Sequence, residues 1–383
     1  MAPLYGFHSL LPGVSWSDAG TNQILFDMAA DLKVQSLRVL WNRRFMQPGL
    51  QQFDWRVADD NVLKATEQGL LLAPTVHLGN NRRTTWFGAR DTSETYGPIE
   101  RTSTSEPPAD LTESWSSEVG YSASIYYFFR ELLVRYGARF PYLAVGSEPN
   151  SIWFWRGTVG EYIRTLETVH KAKMDANVST VILDGGIASE AWGVHIGREV
   201  LLRGVLPDAY VAEQVRGYYQ TTVHAEEFSI LTDGDIVAKL KFDAELIDAY
   251  DWQEDYLAQV ISLSGTEALN FHYYESPEYL GDLIHYLQWK LKRAGTRETK
   301  SLVCHELGVK SQNPAYNEEG DEQAIELEVK VEIARLRGLE LISWFGVTGA
   351  DRDRGFKALH SSTGTPFEAA GAYRDYIESH TAS

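Results

Sequence analysis

A chain of 383 residues, 44% of them hydrophobic, can bury a large core, as one barrel-sized domain or two smaller ones. Its net charge of −18 argues against nucleic acid and against an anionic membrane surface as partners, and says little about a neutral ligand. No apolar run is long enough to span a membrane, and the single Cys304 excludes an internal disulfide.

In chain order, Tyr5-Gly-Phe-His8 opens as a short strand, followed by a turn-rich stretch over 11–18. Residues 22–32 carry apolar side chains at helical spacing. Ser36-Leu-Arg-Val-Leu-Trp41 is the second strand, 58–68 its helix, ended by Gly69, and 70–78 the third strand. The stretch 80–120 is too long for an ordinary connection and predicts a lid, a binding loop or a mobile segment over the strand ends. A helix over 121–136 leads into Tyr142-Leu-Ala-Val-Gly-Ser-Glu-Pro-Asn150, an apolar strand ended by Pro149. Thr158-Val-Gly-Glu161 is a capping box that opens a helix to about residue 176. A fifth strand over 180–186 precedes a stretch longer than one helix needs, which predicts a helical insertion near 205–250. Strand six, 268–274, is followed by a helix over 279–293. Strand seven is Ser301-Leu-Val-Cys-His-Glu-Leu-Gly308, in which Cys304 reads as a small buried hydrophobe. A helix over 321–337, an eighth strand over 339–345 and a helix over 366–379 complete the series. Eight strand–helix units without a composition break predict a (β/α)8 TIM barrel spanning 1–383. The rival, a doubly wound open sheet, would show a glycine-rich phosphate loop after an early strand, and none is present.

In such a barrel all strand ends converge on one pocket, which here would receive His8, Arg38, His77, Glu148, His272, Tyr274, Glu306 and Trp344. A carboxylate at the tip of a buried strand is costly unless paired or used. Glu148 and Glu306 are two such groups, the pair a retaining glycosidase needs about 5 Å apart. The nucleophile must be ionised, and Arg38 and Tyr274 are suitable neighbours for one. His272 and Tyr274 are two apart and share a strand face. Aromatic residues make up 12%, with 11 Trp and 20 Tyr, and such rings both fill cores and stack on sugars. Trp86, Trp115, Trp153, Trp155 and Trp192 follow strands three to five, where sugar platforms would sit. The histidines show no His-x-His or His-Glu-x-x-His spacing, so no metal site is predicted.

These motifs resemble those of the retaining (β/α)8 glycoside hydrolases of clan A. Within it the chain is most similar to family 39, which holds β-xylosidases, α-L-iduronidases and endo-acting exopolysaccharide hydrolases. The resemblance rests on Tyr5-Gly-Phe-His8, Leu37-Arg38-Val39 and Gln47-Pro-Gly-Leu-Gln-Gln-Phe-Asp-Trp55. It continues through Gly146-Ser-Glu-Pro-Asn150 with Phe154-Trp155-Arg-Gly157, Phe271-His-Tyr-Tyr274, Cys304-His-Glu-Leu-Gly308 and Trp344. It implies Glu148 as acid/base and Glu306 as nucleophile, with Arg38, His77, Ser147, Asn150, His272, Tyr274 and Trp344 around the sugar. One departure stands out: the clan carries Asn before the acid/base, and this chain has Ser147, whose hydroxyl reaches less far. The implied activity is hydrolysis of a β-linked oligo- or polysaccharide with no metal or organic cofactor. The alternatives are a non-catalytic carbohydrate-binding barrel and a metal-dependent barrel hydrolase. The sequence leaves a cytoplasmic and a secreted location both open.

Overall fold

The alternation of buried strand and amphipathic helix is realised as a closed ring. A computed structural model describes residues 3–8, 22–78, 106–151, 154–219, 225–296, 300–309, 321–346, 358–360 and 365–381. The strands are β1 (Leu4–His8), β2 (Ser36–Leu37 continued by Leu40–Asn42), β3 (Leu71–Leu72 continued by Thr75–His77) and β4 (Tyr142–Val145). They continue as β5 (Val181–Leu183), β6 (Ala268–Tyr273), β7 (Ser301–Gly308) and β8 (Leu341–Phe345). Although β2 and β3 each break midway, one register crosses the break, with Ser36 opposite Leu71 and Leu40 opposite Thr75. The N–H groups of Leu71, Ala73 and Thr75 donate in turn to the carbonyls of Gln35, Leu37 and Val39. All pairings are parallel, β1 lies between β8 and β2, and β3 joins β4, so the ring closes. The fold is the expected (β/α)8 barrel.

Helices α1 (Asn22–Asp31), α2 (Arg56–Glu67), α3 (Ala123–Tyr136) and α4 (Val159–Ala176) follow the first four strands. The capping box at the start of α4 forms as expected: the Thr158 hydroxyl accepts the Glu161 N–H, and the Glu161 carboxylate accepts the Thr158 N–H. Between β5 and β6 stand α5 (Trp192–Arg203), α6 (Asp208–Tyr219), α7 (Asp233–Phe242) and α8 (Ala244–Ser262), so the helical insertion is real and begins close to the strand end. The outer shell closes with α9 (Pro277–Arg293), α10 (Asp321–Leu336) and α11 (Glu368–Thr381). Most of the long stretch after β3 lies outside the described residues. Its last part, 106–120, is tied to the helices that flank β4: Asp110 accepts from Ser122, Ser124 and the Ser124 N–H, and Glu113 pairs with Arg164.

The sheet separates two apolar clusters. Tyr142, Ala144, Leu183, Ala268, Val303 and Leu341 fill the bottom of the barrel, and a much larger cluster lies between sheet and helices. Above that apolar plug the interior turns polar: Arg38 Nε donates to Thr75 Oγ1 at 2.8 Å, and Asn270 Oδ1 accepts the His305 N–H at 3.1 Å. One irregularity in β7 decides which residues join them. Val303 faces inward and Cys304 outward, so strict alternation would send His305 in and Glu306 out. The register slips there, since Phe271 pairs with Cys304 but His272 with Glu306. Opposite, Ile342 pairs with Cys304 and Trp344 with Leu307. This bulge turns both His305 and Glu306 toward the interior and restores Leu307 to the outside.

Candidate active site

At the carboxyl ends of the strands a cleft of about 650 Å³ opens, and both candidate carboxylates line it. Glu148 leaves β4 with φ of +40°, in the left-handed region that a residue with a Cβ adopts at a cost of about 1–2 kcal/mol. The turn is held by the Glu148 N–H donating to the Gly185 carbonyl at 2.9 Å and the Ser151 N–H donating to the Glu148 carbonyl at 2.8 Å. Its side chain remains 18% exposed, facing the cleft. Glu306 is gripped from two sides, Oε1 by the Arg38 guanidinium and Oε2 by the Tyr274 hydroxyl. Between the acids, His272 Nδ1 stands 2.9 Å from Glu148 Oε1 and 3.5 Å from Glu306 Oε2, and its ring is fully buried. One oxygen of each carboxylate and the imidazole nitrogen all lie within 4.8 Å of one another.

The electrostatics of Glu306 follow from this packing. Burial alone would raise its carboxyl, but the Arg38 guanidinium and the Tyr274 hydroxyl hold it well below the usual carboxylate range. Burial, together with the charges of Glu306 and Glu148, keeps the Tyr274 phenol protonated and donating. Gly308 makes room for that ring, because a Cβ there would meet the Phe345 carbonyl at 2.7 Å and the Tyr274 ring at 3.1 Å. Glu148, His272 and Glu306 also have the spacing of a cation site. Both Glu306 oxygens are already engaged, and the engaging cation is Arg38, so this donor set suits a charged carboxylate better than a metal ion.

The remaining sequence candidates divide. His77 lines the cleft, stacked on Phe154 at 5.6 Å, and burial followed by the Arg38 charge lowers its pKa to about 4. His8 also lines it, its Nδ1 3.3 Å from the Arg38 carbonyl, which can only accept. Ser147 and Asn150 are wall residues, and Asn150 Oδ1 accepts the Ala188 N–H at 3.1 Å, tying the loop after β5 to the loop after β4. Trp344 is the exception. Leu341, Ser343 and Phe345 are its inward-facing neighbours on β8, so Trp344 points outward, fully buried against Tyr373 of α11 at 6.2 Å. Phe345 takes its place at the cleft, 5.1 Å from His8 and 5.5 Å from Tyr274. Trp155 and Trp192 are core residues packed on Tyr162 and His195, Trp115 packs on Tyr121, and Trp86 and Trp153 lie outside the described residues. Sequence reasoning missed Ser189, Glu190 and Gln253, which form the wall on the insertion side.

No family model matches the chain, and no curated protein matches it. Solved structures do. A glucosidase from Croceicoccus marinus superposes with a TM-score of 0.61 at 12% identity, over 98% of this chain and 67% of that one. A family 39 glycoside hydrolase from Bacteroides cellulosilyticus WH2 gives 0.58 at 12% identity, over 98% and 63%. The family 39 enzyme of Xanthomonas axonopodis pv. citri gives 0.57 at 13% identity, over 98% and 67%. What they share with this chain is the fold. The chain spans about two thirds of the length of these proteins.

Proposed function

We propose that this chain is a retaining glycoside hydrolase, a single catalytic barrel that cleaves a β-linked oligo- or polysaccharide by double displacement. The observation that carries the reading is the approach of the Glu148 and Glu306 oxygens to within 4.8 Å in one cleft. Retaining enzymes hold their carboxyls about 5 Å apart, whereas inverting ones need several ångströms more for a water. The two environments also differ in the sense the mechanism needs. Glu306, ionised and oriented through both oxygens, is the nucleophile. Glu148, open to the cleft, is the acid/base.

In the first half-reaction Glu306 attacks the anomeric carbon while the Glu148 carboxyl gives its proton to the departing glycosidic oxygen. An ester to Glu306 results, and its formation removes the negative charge that Arg38 and Tyr274 held. In the second, the Glu148 carboxylate takes a proton from water, which attacks the same carbon and restores the original anomeric configuration. His8, His77, Ser147 and Asn150 line the cleft, and in this reading they are the residues that recognise sugar hydroxyls. Incubation with a panel of nitrophenyl β-glycosides (gluco, xylo, manno and galacto) should release nitrophenol from at least one. Proton NMR of the first sugar formed should show the β-anomer. An α-anomer as first product, or no turnover on any aryl or oligomeric β-glycoside, would overturn the reading.

A further inference from the structure

The cleft does not end at the acid pair. Past Glu190 and Gln253 it opens into a side pocket of about 180 Å³ enclosed by α5, α6, α7 and α8, and the two spaces share the wall residues Glu190, Ala191, Ala249 and Gln253. Gln253 sits at their junction on the buried face of α8, with Tyr250, Tyr256 and Leu257 as neighbours on that face. It is only 5% exposed, and what remains open lines the two spaces. Lining both spaces, its carboxamide offers a donor and an acceptor to whatever fills them, which a leucine at this position would not. The rest of the side pocket is amphipathic. Tyr219 and Phe228 stack at 4.5 Å and Tyr250 adds a third ring, while Lys239 and Glu227 pair with each other at 2.9 Å and Glu190 stands on the wall shared with the cleft. Stacked rings, an amide that carries both donor and acceptor, and an internally neutralised ion pair suit a neutral pyranose: an apolar ring face flanked by hydroxyls.

We propose that this side pocket is a sugar subsite, built by the insertion between β5 and β6, in which Gln253 hydrogen-bonds one unit of an oligosaccharide whose other end lies between Glu148 and Glu306. The inference rests on the reading of that acid pair as a glycosidase site. It makes the substrate an oligomer of neutral sugars rather than a lone glycoside, and it makes the insertion the specificity element.

The test uses the full chain carrying Glu148→Gln and Glu306→Gln, so that sugars bind without turnover. Calorimetry is run with cello-, xylo-, manno- and galacto-oligosaccharides of one to five β-linked units. In at least one series, affinity should step up at a particular chain length. Adding Gln253→Ala should erase that step, a loss of about tenfold, while shorter sugars bind as before and the melting temperature holds. A structural role for Gln253 would instead lower the melting temperature. A step that survives Gln253→Ala, or no binding in any series, overturns the subsite. If the otherwise wild-type chain hydrolyses aryl glycosides but shows a Gln253-insensitive step, the subsite fails and the glycosidase reading stands. A Gln253-dependent step with no hydrolysis anywhere supports the subsite and removes the glycosidase.

Discussion

Replacing Glu306 with alanine should abolish hydrolysis of every glycoside the chain accepts, by roughly 10⁴-fold or more, because no glycosyl ester can form. The substitution has a second consequence. Arg38 is buried inside the barrel, held by Glu306 and by Thr75 Oγ1 at 2.8 Å. Removing the carboxylate strands a buried cation, which costs about 3–5 kcal/mol. Glu306→Gln separates the two effects, since the amide oxygen can still accept from Arg38 while its NH2 donates to the Tyr274 hydroxyl, but the amide cannot act as the nucleophile. The glutamine variant should therefore be as inactive as the alanine variant on an activated aryl glycoside, yet melt closer to the parent. Parity in activity and disparity in melting temperature is the expected pattern. Substantial turnover by either variant would show that the nucleophile lies elsewhere.

Acidification should destabilise the protein well before Glu306 takes a proton. Burial, reinforced by the nearby Arg38 charge, lowers His77 from 6.5 to about 4, and holds His8 and His305 well below 6.5. Burial, with Lys173 and Lys300, lowers His170 to about 3. Each of these imidazoles is neutral in the fold and takes a proton near pH 6.5 once unfolded. The stability each contributes is thus complete above 6.5 and drains away as pH falls from there toward its folded pKa. Glu306, depressed by Arg38 despite its burial, adds a further loss below about 4.5. Three groups act in the opposite sense. Burial raises Glu275 from 4.5 to about 7 and raises Asp184 and Glu167, so all three hold protons more readily in the fold and resist acid unfolding. Four histidines outnumber these three acids, so stability should fall as pH drops from 6.5 toward 4.5. Circular dichroism melts across that range should show a steep fall in melting temperature. A level or rising profile would mean that these histidines are not buried as described.

The strands that lead to Glu148 and Glu306 are legible because they are apolar on both faces; β7 ends at Gly308, while β4 stops at Val145, where Gly146 turns left-handed, before Pro149 is reached. Tyr274 beside His272 is legible for a simpler reason: a strand repeats every two residues. The same rule misleads in β7, where a bulge brings Glu306 inside. Nothing local in Cys-His-Glu-Leu announces that bulge, because it belongs to the pairing with β6 and β8. Trp344 is the converse case. A tryptophan at a strand end looks like a sugar platform, but counting back from Leu341 puts it on the helix side, and Phe345 on the cleft side. The insertion was visible as surplus length, whereas its role in the wall was not. The one available signal was Gln253, a polar residue on the apolar face of α8.

The most direct test of the account is azide rescue of Glu148→Ala, with the configuration of the product read by NMR. With a dinitrophenyl glycoside the leaving group departs without a proton, so Glu306 should still be glycosylated, and the variant should then stall for want of a base. Azide needs no deprotonation and should restore turnover, giving a glycosyl azide of retained β-configuration, because it attacks the ester on Glu306. An inverted α-glycosyl azide, or a loss of activity that azide does not repair, would contradict the roles assigned to Glu148 and Glu306.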